Sequence, residues 1–225
     1  MRPVLQLALD VDSVDEALRL AELAAPWVDW LEVGTSLIVA EGVRVVETLR
    51  ERYPSHLLVA DIKIIDGAQG LASLVLKAGA DMVTVVHSAY DDTVAAAVKV
   101  AHALDRRVVG EYYSLDFGAT APFERLVRLG IDYVGLHLPY APGSLRSDAI
   151  EAIRETLPAI SLPVIVAGGI DVAVLRRLRG VSLAGVIIGG AILNASHPGD
   201  AAREIHELLS CWSTDDLTGD QRLDG

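Results

Sequence analysis

The stretch Asp61-Ile62-Lys63-Ile64-Ile65-Asp66 sets two carboxylates and an ammonium close together. On a strand, side chains alternate, so Asp61 and Lys63 point to one side and Ile62 to the other. A carboxylate beside an ammonium keeps both charged and holds the amine in place. Such an ammonium can stabilise a developing enolate or deliver a proton to carbon. Asp66 lies just beyond and could serve the same site or a neighbouring subunit's. A surface salt bridge is the plainer alternative, and it weakens if the segment ends at a pocket. Two glycine pairs, Gly168-Gly169 and Gly189-Gly190, offer bare backbone that can approach phosphate oxygens closely.

These groups need a scaffold. Short β-branched runs recur at Leu5–Asp10, Trp30–Gly34, Leu57–Lys63, Met82–Val86, Val108–Tyr113, Tyr133–His137, Val164–Gly169 and Gly185–Gly190, spaced by about 21 to 31 residues. Between them lie helical periodicities such as Val14–Ala25, Ile38–Tyr53, Ala68–Ala78 and Asp91–Leu104. Glycine turns at Gly79, Gly130 and Gly180 read as helix ends leading into strands. Eight alternating units predict a single closed (β/α)₈ TIM barrel, with an open doubly wound sheet as the competitor. The barrel is expected over residues 1–212, followed by an acidic, mobile tail over 213–225.

Barrel chemistry sits at the C-terminal ends of strands. Those ends carry Asp10, Glu32, Asp61 with Lys63, His87, Glu111, His137 and the two glycine pairs, a set that a core does not explain. Glu32 and Asp61, on neighbouring strands, can hold a hard divalent cation; Mg²⁺ keeping several waters fits two carboxylates. Zinc does not, because no His/Cys cluster accompanies them. Of the six histidines, His137 is the best acid/base candidate. His87 could line the pocket or be packed or exposed, His197 is ambiguous, and His56, His102 and His206 read as surface residues.

The 225 residues are 52% hydrophobic and 22% charged, an ordinary globular balance that excludes a disordered chain. A net charge of −12 argues against a nucleic-acid or anionic-membrane partner, yet leaves a locally bound phosphorylated substrate open. Cys211 is the single cysteine, so no intramolecular disulfide is possible and a reducing cytoplasm fits. The N-terminus has only a short apolar run before Asp10, which predicts no signal peptide. The uncharged run 181–199 is broken by Gly, Asn and Pro, and reads as strand, loop and helix start rather than a membrane span.

Leu5-Gln6-Leu7-Ala8-Leu9-Asp10, Leu31-Glu32-Val33-Gly34-Thr35, Ala60-Asp61-Ile62-Lys63-Ile64-Ile65-Asp66, Ala167-Gly168-Gly169-Ile170 and Ile188-Gly189-Gly190-Ala191-Ile192 occur in this order. Together, over about residues 4–210, they resemble the orotidine-monophosphate decarboxylase superfamily. Within it the chain is similar to the branch of 3-hexulose-6-phosphate synthase and 3-keto-L-gulonate-6-phosphate decarboxylase (KGPDC). The resemblance implies a homodimer with Asp66 contributed across the interface, and Glu32 and Asp61 as Mg²⁺ ligands. It further implies Lys63 and Asp66 stabilising a metal-bound 1,2-enediolate, Asp10 holding substrate hydroxyls, and the glycine pairs holding a sugar phosphate. Thr35 and Tyr140 join Asp10 as expected substrate-binding residues.

Orotidylate decarboxylase itself fits less well, since it carries a lysine where this chain has Glu32, and its Gln and Arg phosphate clamp has no match here. The KGPDC pattern has His-x-x-Arg after strand six, Thr-Gly-Gly after strand seven and Gly-Arg after strand eight. This chain has His137-Leu138-Pro139-Tyr140, Ala167-Gly168-Gly169 and Gly189-Gly190, as synthases do at the last two. Glu111 points the other way, because synthases usually carry Asp there; His87 and Leu138-Pro139 match neither. The implied activity is condensation of D-ribulose 5-phosphate with formaldehyde, with His137 moving protons and Glu111 as its partner. A decarboxylase or related sugar-phosphate lyase is the alternative, followed by a barrel that binds a sugar phosphate without turning it over.

Overall fold

The computed structural model describes residues 2–113, 121–138 and 147–212. The strands are β1 (Val4–Leu9), β2 (Trp30–Val33), β3 (Leu57–Ile64), β4 (Met82–Val86), β5 (Arg107–Tyr112), β6 (Tyr133–His137), β7 (Val164–Ala167) and β8 (Gly185–Ile188). All pair in parallel and in chain order, and β8 returns to β1 with Val4 opposite Gly185, which closes the barrel and excludes the open sheet. The outer layer comprises α1 (Val14–Ala24), α2 (Thr35–Glu41), α3 (Arg44–Arg52), α4 (Ala68–Lys77), α5 (Asp91–Ala103), α6 (Ala121–Arg128), α7 (Ser147–Thr156), α8 (Val172–Leu178), α9 (Gly190–Leu193) and α10 (Pro198–Ser210).

The sequence periodicity explains most of these elements. Parallel strands covered on one face by helices and on the other by the barrel interior need unbroken apolar runs, and they have them. Helix α1 begins at an N-cap, Ser13, whose hydroxyl accepts the Glu16 N–H at 3.3 Å, with Asp15 and Glu16 in the first turn. The turns at Gly79, Gly130 and Gly180 all have positive φ, as expected. One expectation fails. The periodicity over Ile38–Tyr53 is two helices, because Gly42 takes φ 72°, closes α2 through its N–H to the Ile38 carbonyl, and lets α3 restart at Arg44. The run 181–199 is β8, α9 and the start of α10, and no helix among the described residues is long and apolar enough to cross a membrane. The tail expected over 213–225 lies outside the described residues, as does Tyr140.

Inside the barrel, polarity changes with height. Val59, Met82 and Val109, flanked by Trp30, Leu57 and Tyr133, form an apolar plug; Trp30 and Tyr133 meet edge to face across the barrel at 5.6 Å. Two residues further along the same strands stand Glu32, Asp61, Thr84, Glu111 and Gly135. The first four of these are buried. Strand alternation therefore carries the chain from a sealed base to a buried polar floor.

Candidate active site

Asp10, Glu32, Asp61, Lys63, His137 and both glycine pairs line one cavity of about 470 Å³ at the C-terminal ends of the strands. Lys63 reaches it by a device that simple alternation does not contain. Pairing of β3 with β4 shifts between Ala60 and Ile64, and Lys63 has φ 45°. Its N–H donates to the Thr84 hydroxyl at 2.9 Å, while Ile62 packs outward against the helix-facing core. Asp61 and Lys63 thus share the pocket side, as expected, through a bulge.

The Lys63 ammonium bonds the Asp61 carboxylate directly and donates to Thr35 Oγ1 at 2.9 Å. Thr35 Oγ1 is 2.8 Å from Asp61 Oδ2, and Thr84 donates to Asp61 Oδ1 at 2.9 Å. Thr35, expected to bind substrate, holds this pair from the start of α2. Burial lowers the Lys63 pKa, but Glu111 and Asp61 outweigh it and hold the amine charged above its ordinary value.

Glu32 is 4% exposed and accepts from Gln6 Nε2 at 2.9 Å. Burial, then the neighbouring Asp61 charge, pushes its pKa well above the ordinary carboxylate range. Glu111 behaves oppositely: burial acts to raise its pKa, but the hydrogen bond and charge of His137, with Lys63 and Tyr113, bring it below the ordinary value. His137 Nε2 lies 3.1 Å from Glu111 Oε1, so the two expected acid/base residues are in contact. Asp10, at the mouth, has its pKa raised by burial and by Asp61. A Cβ at Gly34 would collide with the Asp10 carboxylate and sit 2.8 Å from the Leu9 carbonyl, so glycine there leaves Asp10 its place.

Oxygens of Glu32, Asp61 and Glu111 all lie within 4.8 Å of one another. These residues fit a hard cation. Three buried carboxylates repel, a divalent ion would neutralise them, and Gln6 adds a buried Oε1 with no partner among the described residues. Glu111 extends the pair expected from sequence.

On the opposite wall Gly168 and Gly169 have φ 96° and 59°. A Cβ at Gly168 would collide with the Leu138 carbonyl oxygen and lie 3.1 Å from Leu138 N, so this turn admits glycine alone. Gly189, Gly190 and Asn194 complete that wall. The cavity thus offers backbone and amide donors to an anion at one end, and an ammonium facing buried carboxylates at the other.

Asp66 is exposed, accepts its neighbour Gly67's N–H at 2.7 Å, and does not line the cavity of its own chain. His87 is packed: its Nδ1 faces the Glu111 carbonyl at 3.1 Å, its ring lies 4.3 Å from Tyr112, and burial lowers its pKa. His102 is exposed, as expected, and so is His197. His56 and His206 are corrections, being half-buried with ring nitrogens 3.0 Å from the Ala25 carbonyl and 2.7 Å from the Trp27 carbonyl. Gln6, Thr84, Tyr113 and Asn194 were not anticipated. A lone polar residue in an apolar strand was the available signal for Gln6 and Thr84.

The model of the orotidine 5'-phosphate decarboxylase / HUMPS family matches residues 3–205. The chain belongs to that family. It is 34% identical over 206 residues to the 3-hexulose-6-phosphate synthase of Mycobacterium gastri, covering 92% of this chain and 99% of that one. A crystal structure of 3-hexulose-6-phosphate synthase superposes with TM-score 0.82 at 33% identity, covering 91% and 99% of the two chains. KGPDC from Streptococcus mutans, solved as a ligand complex, superposes with TM-score 0.87 at 27% identity, covering 93% and 98%. Both the family and its synthase/KGPDC branch are those expected from the motifs, and the chain is a lyase. Synthase structures superpose with TM-scores of 0.82 and 0.84 and KGPDC structures with 0.84 to 0.87, so the fold does not separate them.

Proposed function

We propose that the protein is a Mg²⁺-dependent aldolase that joins D-ribulose 5-phosphate to formaldehyde, giving a hexulose 6-phosphate. The observation that carries this reading is the Lys63 ammonium, clamped by Asp61 and Thr35 beside a buried three-carboxylate cluster, opposite a glycine-lined wall. Identity to synthases above 30% supports it. Glu32 and Asp61 would hold the Mg²⁺, which supplies Lewis acidity and a template for adjacent substrate oxygens.

The chain's own groups do the rest. The glycine pairs and Asn194 hold the phosphate, and Asp10 accepts from sugar hydroxyls. His137, partnered by Glu111, removes the proton from C1, and the electron pair moves into the C1–C2 bond to give a 1,2-enediolate. Lys63 faces the developing oxyanion, where fixed positive charge favours the transition state. C1 of the enediolate then attacks the formaldehyde carbon, and the resulting alkoxide takes back a proton. In a homodimer the partner's copy of the exposed Asp66 would join Lys63. The lone cysteine fits a cytoplasmic setting.

KGPDC activity is the second reading, favoured by Glu111, because loss of CO₂ from a β-keto acid gives the same kind of enediolate. The test is turnover of ribulose 5-phosphate with and without formaldehyde, beside 3-keto-L-gulonate 6-phosphate. Chelator-sensitive formaldehyde consumption is the expected result, and CO₂ release from the keto acid alone moves the assignment. Lys63→Ala should fold and lose at least about 100-fold in turnover; near-wild-type turnover would overturn its role.

A further inference from the structure

Glu111 has two possible employers. It stands within 4.8 Å of Glu32 and Asp61 as a third cation ligand, and it also meets His137. Tyr113, two residues on, touches both members of the latter pair. Its hydroxyl donates to Glu111 Oε2, and its ring stacks on His137 with centroids 4.2 Å apart and an interplanar angle of 29°. Glu111 Oε1 lies against His137 Nε2, so each carboxylate oxygen has a partner on the β5–β6 side of the barrel. Glu111 is 1% exposed and has little room to turn without releasing one of them.

We propose that Tyr113 is a positioning residue that reserves Glu111 for His137 and keeps it out of the cation's inner shell. The Tyr113 O–H occupies a lone pair of Oε2 while His137 engages Oε1, so a divalent ion finds both oxygens already partnered, and the Tyr113 ring fixes the imidazole plane against which Oε1 is aligned. For its effect on turnover this rests on the aldolase reading above; for its effect on the cation it stands on geometry alone.

Tyr113→Phe keeps the ring and deletes the donor, which separates this role from a structural one. Calorimetric titration with Mg²⁺ alone should show binding about three- to tenfold tighter than wild type, because Oε2 is freed. At saturating Mg²⁺, exchange of the C1 proton of ribulose 5-phosphate with D₂O, followed by NMR, should be slower by about tenfold or more, with KM changed less than about twofold. A structural defect would weaken both. Tyr113→Leu, which also removes the stack, should slow exchange further with Mg²⁺ affinity like that of Tyr113→Phe; if it does not fold, Tyr113→Phe decides alone. Unchanged or weaker Mg²⁺ binding by Tyr113→Phe overturns the proposal, as does a wild-type protein that binds neither Mg²⁺ nor Mn²⁺. If wild type binds Mg²⁺ but processes no sugar phosphate tested, the aldolase reading fails and the affinity shift alone decides the role of Tyr113.

Discussion

Glu32 shows what the site costs the fold. Its carboxylate is buried beside Asp61, and the Gln6 amide offsets only part of that penalty, so its pKa in the folded protein lies above the ordinary 4.5. A carboxylic acid with a raised folded pKa loses stability as pH rises from its unfolded value through its folded one. Metal-free protein should therefore gain stability on acidification from neutral pH until the unfolded value is reached. Glu32→Gln should lack that gain and melt higher without metal at pH 7, by about 1–2 kcal/mol or roughly 2–8 °C. Mg²⁺ at about 100 times its Kd should stabilise wild type by about 2.7 kcal/mol and leave Glu32→Gln nearly unmoved. Scanning calorimetry with Mg²⁺ and with chelator checks both; a metal-free Glu32→Gln that melts below wild type would remove the repulsion on which the metal assignment rests.

At the scale of elements, the base of the barrel shows why strands were easier to read than their joints. Asp29, Asp81 and Asp132 each precede an even strand, and each makes a double contact with one residue of the strand before it. Their N–H groups donate to the carbonyls of Leu5, Leu58 and Val108 at 2.9, 2.8 and 3.1 Å, and their carboxylates accept the N–H of the same residues at 2.8 Å. Arginines then neutralise two of them, Arg2 on Asp29 and Arg50 with Arg106 on Asp81, while His102 Nε2 lies 3.1 Å from the Asp132 carboxylate. Before β8 the position is Ala184, which keeps only the backbone bond, to Val164. Asp81→Asn should be the costliest of the three changes, by about 3 kcal/mol in urea unfolding, since it leaves two half-buried guanidiniums unneutralised; a loss no greater than that of Asp132→Asn would contradict this. The eight strands were legible because their apolar runs are dictated locally by burial on both faces. The helix break at Gly42 was not, since a glycine in a helical pattern reads equally as a tolerated residue or as a stop. The bulge at Lys63 was hidden for a related reason: the Thr84 hydroxyl that takes its N–H comes from the next strand.

For the molecule as a whole, the charged residues of the site were legible because strand ends of a barrel converge whatever lies between them. The neutral ones that hydrogen-bond to them were not. Gln6 and Thr84 reach Glu32 and Asp61 from neighbouring strands, and Tyr113 reaches back to Glu111 from just past the end of β5, contacts that the residue types alone do not announce. Asp66 poses the same problem one level higher. It stands exposed outside its own cavity, so a role beside Lys63 requires a second copy of the chain. Subunit complementation decides this. Lys63→Ala and Asp66→Ala should each be inactive alone. In a mixed dimer one site carries both defects and the other carries neither. Equal amounts unfolded and refolded together should then recover about one quarter of wild-type activity, as random pairing in a twofold dimer dictates. Light scattering should report the dimer mass for both variants, which separates lost chemistry from lost assembly. Recovery near zero with dimers present would return Asp66 to the surface of its own subunit and leave Lys63 to act with the groups of one chain.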